Sequence, residues 1–285
     1  MKEIFFEWLK LFYRTSRSFI YFIESLVSPR LACKIQNLFL IFHGSKLRFY
    51  YEIDSNLYFA KEDGVKRYFG ERHRGFDFYA RSIFLRGETL SRSYCLQKII
   101  FDESDIVIDC GANYADLFLS LADKISEKNY ITFEPGPIEH KCIKKSLPNA
   151  RNFNLGLSDS EGLMSFYLSS ATGDSSLIEP ASFTEKIDVR VTTLDIFDQE
   201  NNIKKCKLLK LEAEGSEPEI LNGARNFLPK CEYVAVDGGL ERGINGEATF
   251  SEVNNFLIAS GFEMIDLYGP SYRALFRNSK IYLGK

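Results

Sequence analysis

The sequence lacks the features that mark several common classes of protein. Its six cysteines include no Cys-x-x-Cys pair and no knuckle spacing, which argues against a structural zinc site or a secreted disulfide framework and favours reduced thiols. Nineteen Gly and eight Pro in 285 residues are too few for a disordered or collagenous chain. No segment repeats with a period of roughly 20–50 residues, so a solenoid is not expected.

Long hydrophobic runs are also absent. A membrane-spanning helix needs roughly 20 predominantly apolar residues, and charged residues interrupt the apolar stretches near the N-terminus. The uncharged stretch 35–45 is about half as long as a span requires. No charge-free segment ends in the small residues of a signal-peptide cleavage site. We therefore expect no membrane span and no signal peptide, and a cytoplasmic protein.

Charged and aromatic residues are distributed unevenly. The chain has a net charge of −3 and a pI of about 5.8, which argues against nucleic acid as a partner. Residues 1–50 nevertheless carry eight Lys and Arg against three Glu, so the other 235 residues have a net charge of −8. Of the 41 aromatic residues, 21 precede residue 86. These differences predict a helical, aromatic-rich N-terminal extension (1–85) and a separate domain (86–285).

The beginning of the chain has the pattern of an amphipathic helix. Apolar side chains recur at spacings of three and four between Ile4 and Leu26, with basic residues between them. Two interpretations stay open. Such a face packs on the rest of the protein or on a second subunit, or it lies on an anionic membrane surface. We accordingly expect residues 1–50 to contact either the inner membrane surface or a second copy of the chain.

From residue 106 onward, short apolar runs alternate with helical patterns. The predicted strands are 106–108, 130–133, 152–157, 207–211, 233–236, 262–267 and 272–276, and 47–53 and 56–60 also have strand patterns. The predicted helices are 88–101, 117–125, 138–146, 217–228 and 249–260. This alternation predicts an α/β fold with a mostly parallel central sheet and helices on both faces. Ligands of such sheets bind beyond the carboxyl ends of the strands, where strand order reverses.

The residues that follow the first two of these strands predict a nucleoside-type ligand. Gly111 allows a sharp turn and the close approach of a ligand, or it makes only a tight strand-to-helix connection. Glu134 closes the second strand, where an acidic residue accepts hydrogen bonds from a ribose diol. Alternatively, Glu134 caps the helix that begins near Pro137. Together the two residues favour a ligand that contains adenosine, and the missing Gly-x-Gly-x-x-Gly pattern disfavours a nicotinamide enzyme.

Five short motifs carry a resemblance to a known family. In chain order they are Gly111-Ala112-Asn113, Phe133-Glu134-Pro135, Leu157-Ser158-Asp159, Thr193-Leu194-Asp195 and Lys210-Leu211-Glu212-Ala213-Glu214-Gly215. This series resembles the FkbM family of S-adenosylmethionine-dependent methyltransferases, which have the class I, Rossmann-like fold, over residues 100–270. The resemblance implies S-adenosylmethionine as the cofactor. It places Asp109, Gly111 and Asn113 beside the methionine part, Glu134 on the ribose hydroxyls and Asp159 near the adenine.

Two positions depart from the pattern of this family. Ala115 stands where the family usually has a second glycine, and Glu212 stands where it usually has aspartate. The extra methyl group of Ala115 is either tolerated at the helix start or narrows the cofactor pocket, and the extra methylene of Glu212 moves the carboxylate. These departures motivate a second hypothesis, in which the protein is a catalytically weak or inactive cofactor-binding scaffold attached to a membrane or a biosynthetic complex through residues 1–50.

Two carboxylates after the fourth strand are the predicted catalytic residues. Glu212 and Glu214 are two positions apart, so on an extended backbone they point to the same side. Methyl transfer to an alcohol gains from positioning the acceptor and removing its proton. Alternatively, Glu214 and Glu217 are helix N-terminal charges, each worth about 0.3–1 kcal/mol. We predict no metal site, although these carboxylates and Asp237 have the oxygen ligands that a divalent cation prefers.

Further substrate contacts are expected from two loops. The glycine-rich segment 237–243 predicts a mobile loop at the rim, in which Asp237, Glu241 and Arg242 contact substrate, or else an ordinary connection. By resemblance, Ser175 and Ser176 lie over the site; the alternative is an exposed turn. The predicted reaction is O-methylation of a hydroxyl of a glycan, a lipid-linked sugar or a secondary metabolite.

Overall fold

The structure, a computed structural model, describes residues 22, 25–169 and 174–283. The chain divides into two compact units, Met1–Leu85 and Arg86–Lys285. None of the helices in the described stretches is both long enough and apolar enough to cross a membrane. The predicted amphipathic helix between Ile4 and Leu26 lies almost entirely outside the described residues.

The first unit contains a small sheet as well as helices. Its described elements are α1 (Pro29–Phe42), β1 (Arg48–Glu52), β2 (Leu57–Glu62), β3 (Val65–Phe69) and α2 (Arg72–Tyr79). The strands lie in the order β1-β2-β3 with antiparallel pairing. The description of residues 1–85 as a helical extension is therefore incomplete, because the strand patterns at 47–53 and 56–60 form β1 and β2.

Aromatic side chains form the core of this unit. Phe49, Phe69 and Phe76 are fully buried, and the ring centroids of Phe49 and Phe76 are 4.7 Å apart. The ring of Tyr58 stacks on that of Phe69 at 5.6 Å. Asn37 joins α1 to β1, because its side chain donates to the Phe49 carbonyl at 2.8 Å and accepts from the Phe49 N–H at 2.7 Å. Many of the aromatic residues before residue 86 thus have a packing role.

The second unit is built on a seven-stranded central sheet. Its helices are α3 (Ile83–Ser93, which contains the boundary between the units), α4 (Pro137–Ser146), α5 (Leu194–Asn201), α6 (Glu217–Asn222), α7 (Phe250–Ala259) and α8 (Ser279–Leu283). Its strands are β4 (Val107–Cys110), β5 (Tyr130–Phe133), β6 (Arg151–Phe153), β7 (Gly156–Leu157), β8 (Gly162–Leu168), β9 (Glu185–Thr192), β10 (Cys206–Leu211), β11 (Cys231–Asp237), β12 (Leu240–Arg242), β13 (Glu247–Ala248), β14 (Phe262–Tyr268) and β15 (Arg273–Asn278).

The order and direction of the strands give the class I, Rossmann-like topology. The order in the central sheet is β14-β15-β11-β10-β4-β5-β6. The pairs β5–β6, β4–β5, β10–β4 and β10–β11 are parallel, whereas β15 runs antiparallel to both β11 and β14. Strand order reverses at β4, with β5 on one side and β10 on the other. The crevice beyond the carboxyl ends of these strands is therefore the expected ligand site.

Alternate residues of the central strands face two separate hydrophobic cores. Ile108 and Leu209 belong to one core, and their neighbours Val107 and Leu208 belong to the other. This is the period of two that a strand imposes on its side chains. Because both faces are covered, these strands are mostly apolar on both sides, which is why the short β-branched and leucine-rich runs located them in the sequence.

Several predicted elements differ from the structure. The helix predicted over 88–101 is α3, which begins at Ile83 and ends at Ser93. The third strand divides at residue 154, and β7 joins β8 and β9 in a separate three-stranded sheet, with β9 between the other two. Residues 116–120 form a 3₁₀ helix in place of the predicted helix 117–125. The helix predicted over 217–228 ends at Asn222, where the next residue, Gly223, packs so closely on the Ser158 carbonyl that a Cβ would lie 2.2 Å from its oxygen.

Candidate active site

The loop after β4 needs its glycine for two reasons. Gly111 has a φ of +67°, which is in the left-handed region that glycine tolerates. A Cβ at this position would lie 1.7 Å from the Glu212 carbonyl oxygen, so the loops after β4 and β10 approach each other too closely for any side chain. The tight turn predicted at Gly111 is therefore present, and the group that approaches it closely is the Glu212 carbonyl; the close approach of a ligand stays a prediction.

Glu134 lies at the end of β5 and is bound to the neighbouring loops. Its Oε2 accepts the Asn113 N–H at 2.7 Å, and its Oε1 accepts the Gly136 N–H at 2.8 Å. The side chain is buried. Burial, and then the negative charge of Glu139, raise the pKa of Glu134 to about 8. Glu134 does not cap α4 through a hydrogen bond to the first turn of the helix. The N–H that it accepts nearest to α4 belongs to Gly136, which precedes the helix.

Asn113 has an unpaired polar atom inside this loop. Its φ is +53°, and its backbone N–H donates to Glu134. Among the described residues, its buried Oδ1 has no hydrogen-bond partner. A buried acceptor without a partner costs about 1–3 kcal/mol, so this atom is placed to receive a hydrogen bond from a ligand.

Asp109 lies beneath the loop and contacts protein groups. It is buried, accepts a hydrogen bond from the Tyr130 hydroxyl, and lies 2.9 Å from Lys210 Nζ through its Oδ1. Lys210 also donates to the Gly111 carbonyl at 2.9 Å. Burial disfavours the charged lysine, but Asp109 and Glu212 outweigh burial and raise the pKa of Lys210. The Asp109–Lys210 pair therefore holds the loop from below, and direct contact of Asp109 with the cofactor stays a prediction.

Glu212 is held by two cations. Its Oε2 is 3.0 Å from Lys210 Nζ, and its Oε1 accepts from Arg273 Nη2 at 2.6 Å. About a quarter of the side chain is exposed, at 23%. Burial would favour the neutral acid, but Lys210 and then Arg273 hold the pKa of Glu212 at about 2. Glu212 is therefore a fixed negative charge over the physiological pH range.

Arg273 connects Glu212 to a second carboxylate. Its Nε donates to Asp237 Oδ2 at 2.5 Å, and its Nη1 donates to Ser93 Oγ at 2.9 Å. The other carboxylate oxygen of Asp237 accepts the Gly239 N–H at 3.1 Å. Asp237 is buried, and each of its carboxylate oxygens accepts one of these hydrogen bonds. A direct contact of Asp237 with substrate therefore stays a prediction, and its observed role is to position Arg273 and the Gly239 turn.

Glu214 does not follow an extended backbone, contrary to the sequence prediction. β10 ends at Leu211, and Glu214 has a φ of +50°. Burial, and then repulsion from the Glu241 carboxylate, raise the pKa of Glu214. Glu241 is exposed on one side; partial desolvation, followed by the charge of Asp237, raises its pKa. Glu214 and Glu241 therefore form a carboxyl pair that holds a proton more readily than an isolated glutamate.

Glu217 is the residue that fixes the turn after β10. Its Oε1 accepts the Ala213 N–H at 2.7 Å, and its Oε2 accepts from Thr249 Oγ1 at 3.0 Å. The side chain is fully buried at the start of α6. Glu217 therefore lies in the first turn of α6, as the alternative interpretation expected. Its side chain also binds the turn that precedes the helix.

The sequence of the second unit matches the model of a known protein family. The model of the methyltransferase FkbM domain matches residues 109–264, which is more than half of the chain and contains all five sequence motifs. The chain belongs to the FkbM methyltransferase family. The resemblance drawn from the motifs is therefore confirmed, and so is the α/β class I fold.

Individual FkbM-like relatives are distant. Methyltransferase 1 of Beauveria bassiana is 20% identical over 193 residues, which cover 59% of this chain and 76% of the relative. The 2-O-methyltransferase NoeI of Sinorhizobium fredii is 23% identical over 200 residues, which cover 62% of this chain and 80% of the relative. A crystal structure of methyltransferase FkbM from Methylobacillus flagellatus matches with a TM-score of 0.44 and 15% identity; the match covers 68% of this chain but only half of that one.

One FkbM motif, Thr193-Leu194-Asp195, has a structural role in this chain. Thr193 caps α5, because its Oγ1 accepts the Ile196 N–H at 3.0 Å. Asp195 accepts the N–H groups of Phe227 at 2.8 Å and Asn226 at 3.0 Å, and so joins α5 to the segment after α6. The described hydrogen bonds of Asp159 are with the neighbouring Ser158 and Ser160 only. Its place near the adenine therefore stays a prediction.

The residues expected to contact substrate have identifiable protein partners. Arg242 forms a bidentate pair with Glu219 at 2.6 and 2.9 Å and also donates to the Gly215 carbonyl. These contacts anchor the β12–β13 hairpin, which occupies the segment that the sequence predicted as a loop. Ser176 is buried and donates to the Glu214 carbonyl at 2.8 Å. Ser175 accepts the Ser169 N–H at 3.0 Å. Arg242 and Ser176 thus position the turn that contains Glu214.

Two cations of the site, Lys210 and Arg273, are not among the residues predicted from the sequence. Lys210 was noted only as part of a motif, and Arg273 was not singled out. A signal for Lys210 was available, because a lysine inside a fully buried apolar strand requires a carboxylate partner. No local signal indicated Arg273, which lies 61 positions from Glu212. Among the described residues, no cluster of three His, Cys, Asp or Glu has the arrangement of a metal site.

Proposed function

We propose that this chain is an S-adenosylmethionine-dependent O-methyltransferase. The observation that carries the proposal is Glu134, a buried carboxylate at the end of β5 that two backbone N–H groups hold beside the Gly111 loop. In a doubly wound sheet this position receives the ribose of a nucleoside ligand. Membership of the FkbM family supports methyl transfer as the reaction.

The residues at this position fit the cofactor chemically. A carboxylate has about four acceptor positions, so Glu134 retains capacity for two ribose hydroxyls beyond the two N–H groups that it already binds. The buried, unpaired Oδ1 of Asn113 would accept from the methionine part. A cofactor that carries a sulfonium and an ammonium group suits this acidic lining, and Asp159 would contact the adenine.

The cofactor, when bound, supplies an activated methyl group on its sulfonium. Glu212 would stabilise positive charge near that group and orient the acceptor hydroxyl, because its pKa of about 2 keeps it ionised. The same low pKa makes Glu212 a weak base. Of the two roles that the sequence left open for Glu212, base or orienting residue, the structure favours the second.

The Glu214–Glu241 pair is the better acceptor for the proton released from the hydroxyl. A general base works best when its pKa is near the operating pH, and partial desolvation raises the pKa of Glu241 to about 7. Gly239 separates Glu241 from Asp237; a Cβ there would lie 3.3 Å from Glu241 Oε1 and 3.2 Å from Asp237 Oδ1. We assign the base to this pair, with Arg273 and Lys210 as positioning residues for Glu212.

The acceptor is proposed to be the hydroxyl of a glycan, a lipid-linked sugar or a secondary metabolite. The curated relative NoeI is named as a 2-O-methyltransferase, which supports oxygen as the methyl acceptor. No metal is assigned to the reaction. The groups that the proposal uses all belong to the second unit.

Binding of S-adenosylhomocysteine as a function of pH tests the cofactor site. The ribose hydroxyls require ionised Glu134, so we expect affinity to rise by up to about tenfold per pH unit from pH 6 toward about 8 and then to level off. Glu134→Gln should abolish this rise. It should also weaken binding roughly 10- to 150-fold at pH 8.5, since it removes a charge-assisted hydrogen-bond acceptor. Isothermal calorimetry measures both effects.

Asp123→Asn is the control for this experiment, because Asp123 is an exposed carboxylate of the same unit. It should bind like the wild type at each pH. Equal affinities of the wild type and Glu134→Gln, or no binding at millimolar ligand, would refute the proposed site. If the ligand binds normally but no labelled methyl group reaches any acceptor, the scaffold hypothesis replaces the enzyme.

A further inference from the structure

One buried aromatic side chain contacts the charged residues of the candidate site. Tyr94 follows the last residue of α3 and is fully buried. Its ring belongs to the core that covers one face of the central sheet, together with Val107 and Leu208. Packing in this core therefore fixes the place of the ring within the second unit.

Both cations that bind Glu212 lie over the ring of Tyr94. The Arg273 guanidinium carbon is 4.7 Å from the ring centroid, and Lys210 Nζ is 5.8 Å from it. A cation within about 6 Å of an aromatic face is attracted by the ring, more strongly where water is excluded. The ring therefore helps to fix the two cations, which in turn bind the two oxygens of Glu212.

Ser93, the last residue of α3, holds the same arginine. Its Oγ accepts from Arg273 Nη1 at 2.9 Å and donates to the Leu90 carbonyl at 2.9 Å, so the end of α3 fixes the direction of the guanidinium. Ser93, Tyr94 and Arg273 all lie outside residues 109–264, which the family model matches. The arrangement around Glu212 is therefore completed by residues that precede and follow the FkbM domain along the chain.

The hydroxyl of Tyr94 interacts with Glu212. Burial, and then the charge of Glu212, raise the pKa of Tyr94, so the hydroxyl keeps its proton. Against the effect of burial, Lys210, Arg273 and then this hydroxyl lower the pKa of Glu212. The hydroxyl makes no well-aligned hydrogen bond with any residue that the structure describes. Because hydrogen bonds of a site are often poorly aligned until substrate is bound, and a buried tyrosine hydroxyl usually has a partner, ionised Glu212 is the expected acceptor.

We propose that Tyr94 is a positioning residue for Glu212. Its ring supports Arg273 and Lys210, and its hydroxyl donates a charge-assisted hydrogen bond that sets the direction of the Glu212 carboxylate. Tyr94 acts through Glu212 and does not itself touch the methyl group. The inference rests on the proposed function for what Glu212 orients, whereas the contact between the two residues belongs to the folded chain.

A double-mutant cycle in the full chain tests this contact. Tyr94→Phe keeps the ring and removes the hydroxyl, and Glu212→Gln removes the charge that the hydroxyl binds. Urea unfolding of the wild type, the two single variants and the double variant should show a coupling of about tenfold in the unfolding equilibrium constant. A tyrosine that only fills space in the core would give additive changes, within about twofold.

Tyr167→Phe is the matched control, because Tyr167 is a buried tyrosine of the same unit whose hydroxyl donates to Glu179 at 3.2 Å. Combined with Glu212→Gln, it should give additive changes. Carbon-13 NMR of the Glu212 carboxyl is the second readout. Tyr94→Phe should raise the pKa of Glu212 by about one unit from about 2, so the signal should begin to move near pH 4 in this variant only.

An additive cycle for Tyr94→Phe, or a Glu212 signal as constant as in the wild type, would overturn the proposal. Calorimetry with S-adenosylhomocysteine separates that result from a failure of the proposed function. Tyr94→Phe should bind this ligand within about threefold of the wild type; a larger loss would place Tyr94 in the cofactor site and also overturn the proposal. A wild type that binds no ligand would refute the proposed function and leave the coupling between Tyr94 and Glu212 measurable.

Discussion

At the scale of single residues, Arg273 organises the charges of the candidate site. It is the only residue among those described that bonds to Glu212, Asp237 and Ser93 together. The planar guanidinium can serve three acceptors at fixed angles, which a lysine ammonium does less well. Removal of this cation leaves the buried carboxylate of Asp237 and the partly buried one of Glu212 without their shared partner.

Arg273→Met should lower the free energy of unfolding by about 3–5 kcal/mol, because it breaks a buried ion pair from one side. Arg277→Met is the matched control on the same strand; its partner, Glu263, is half exposed, so the loss should stay below about 1 kcal/mol. Urea unfolding measures both.

Since Arg273 helps hold the pKa of Glu212 near 2, wild-type stability should fall as the pH drops from about 4.5 to about 2, and the variant should show less of this fall. Losses of equal size in the two variants would contradict this role.

At the scale of elements, the site is a contact between two loops that follow adjacent parallel strands. The loop after β4 and the loop after β10 meet at Gly111, where the Glu212 carbonyl occupies the space of a side chain. Ala115 in the same loop also has a positive φ, of +56°, and is fully buried. The glycine that the FkbM family usually has at this second position therefore matches the backbone, and the methyl group of Ala115 fills space in the core.

Gly111→Ala should destabilise the protein by roughly 2–5 kcal/mol, which combines left-handed strain of about 1–2 kcal/mol with steric overlap of about 1–3 kcal/mol. Ala115→Gly should change stability by less than about 1 kcal/mol. Relief of strain is offset by the lost methyl contact, worth about 0.8 kcal/mol, and by greater unfolded-chain entropy. Thermal and urea unfolding of the pair distinguish these effects. A tolerated alanine at position 111 would show that the loops separate easily.

At the scale of the whole molecule, the chain consists of two units with separate cores. An aromatic core forms within Met1–Leu85, and two cores cover the faces of the central sheet in Arg86–Lys285. The residues proposed for the cofactor and for methyl transfer lie between Asp109 and Arg273.

A chain of residues 80–285 should therefore fold and bind S-adenosylhomocysteine within about threefold of the full-length affinity, a difference of about 0.6 kcal/mol. This chain keeps α3 and the hydrogen bond from the Phe84 N–H to Ser82 Oγ at 3.1 Å, although it loses Glu62, which accepts from Ser82 Oγ and from the Ile83 N–H. Calorimetry and a cooperative thermal transition measure the result. Loss of cooperative unfolding, with retained solubility, would show that the second unit depends on the first.

Much of the second unit was predictable because its strands are buried on both faces. Such strands are continuous apolar runs, and β5, β10 and β11 were located to within about two residues. The start of α3 was missed because the helix begins after the Ser82 cap, five residues before the predicted start. The division of the third strand was also missed, because only two residues separate β6 from β7, which pair with strands of different sheets.

The sequence by itself determined the α/β class, the glycine and carboxylate positions at the strand ends, and membership of the FkbM family. These follow from residue types and spacings along the chain. Only the tertiary structure decided that Glu212 is a fixed anion, that Glu214 turns toward Glu241, and that Arg273 joins Glu212 to Asp237. The physical reason is that charge and pKa depend on burial and on neighbours, and strand pairing brings those neighbours together from positions far apart in the chain.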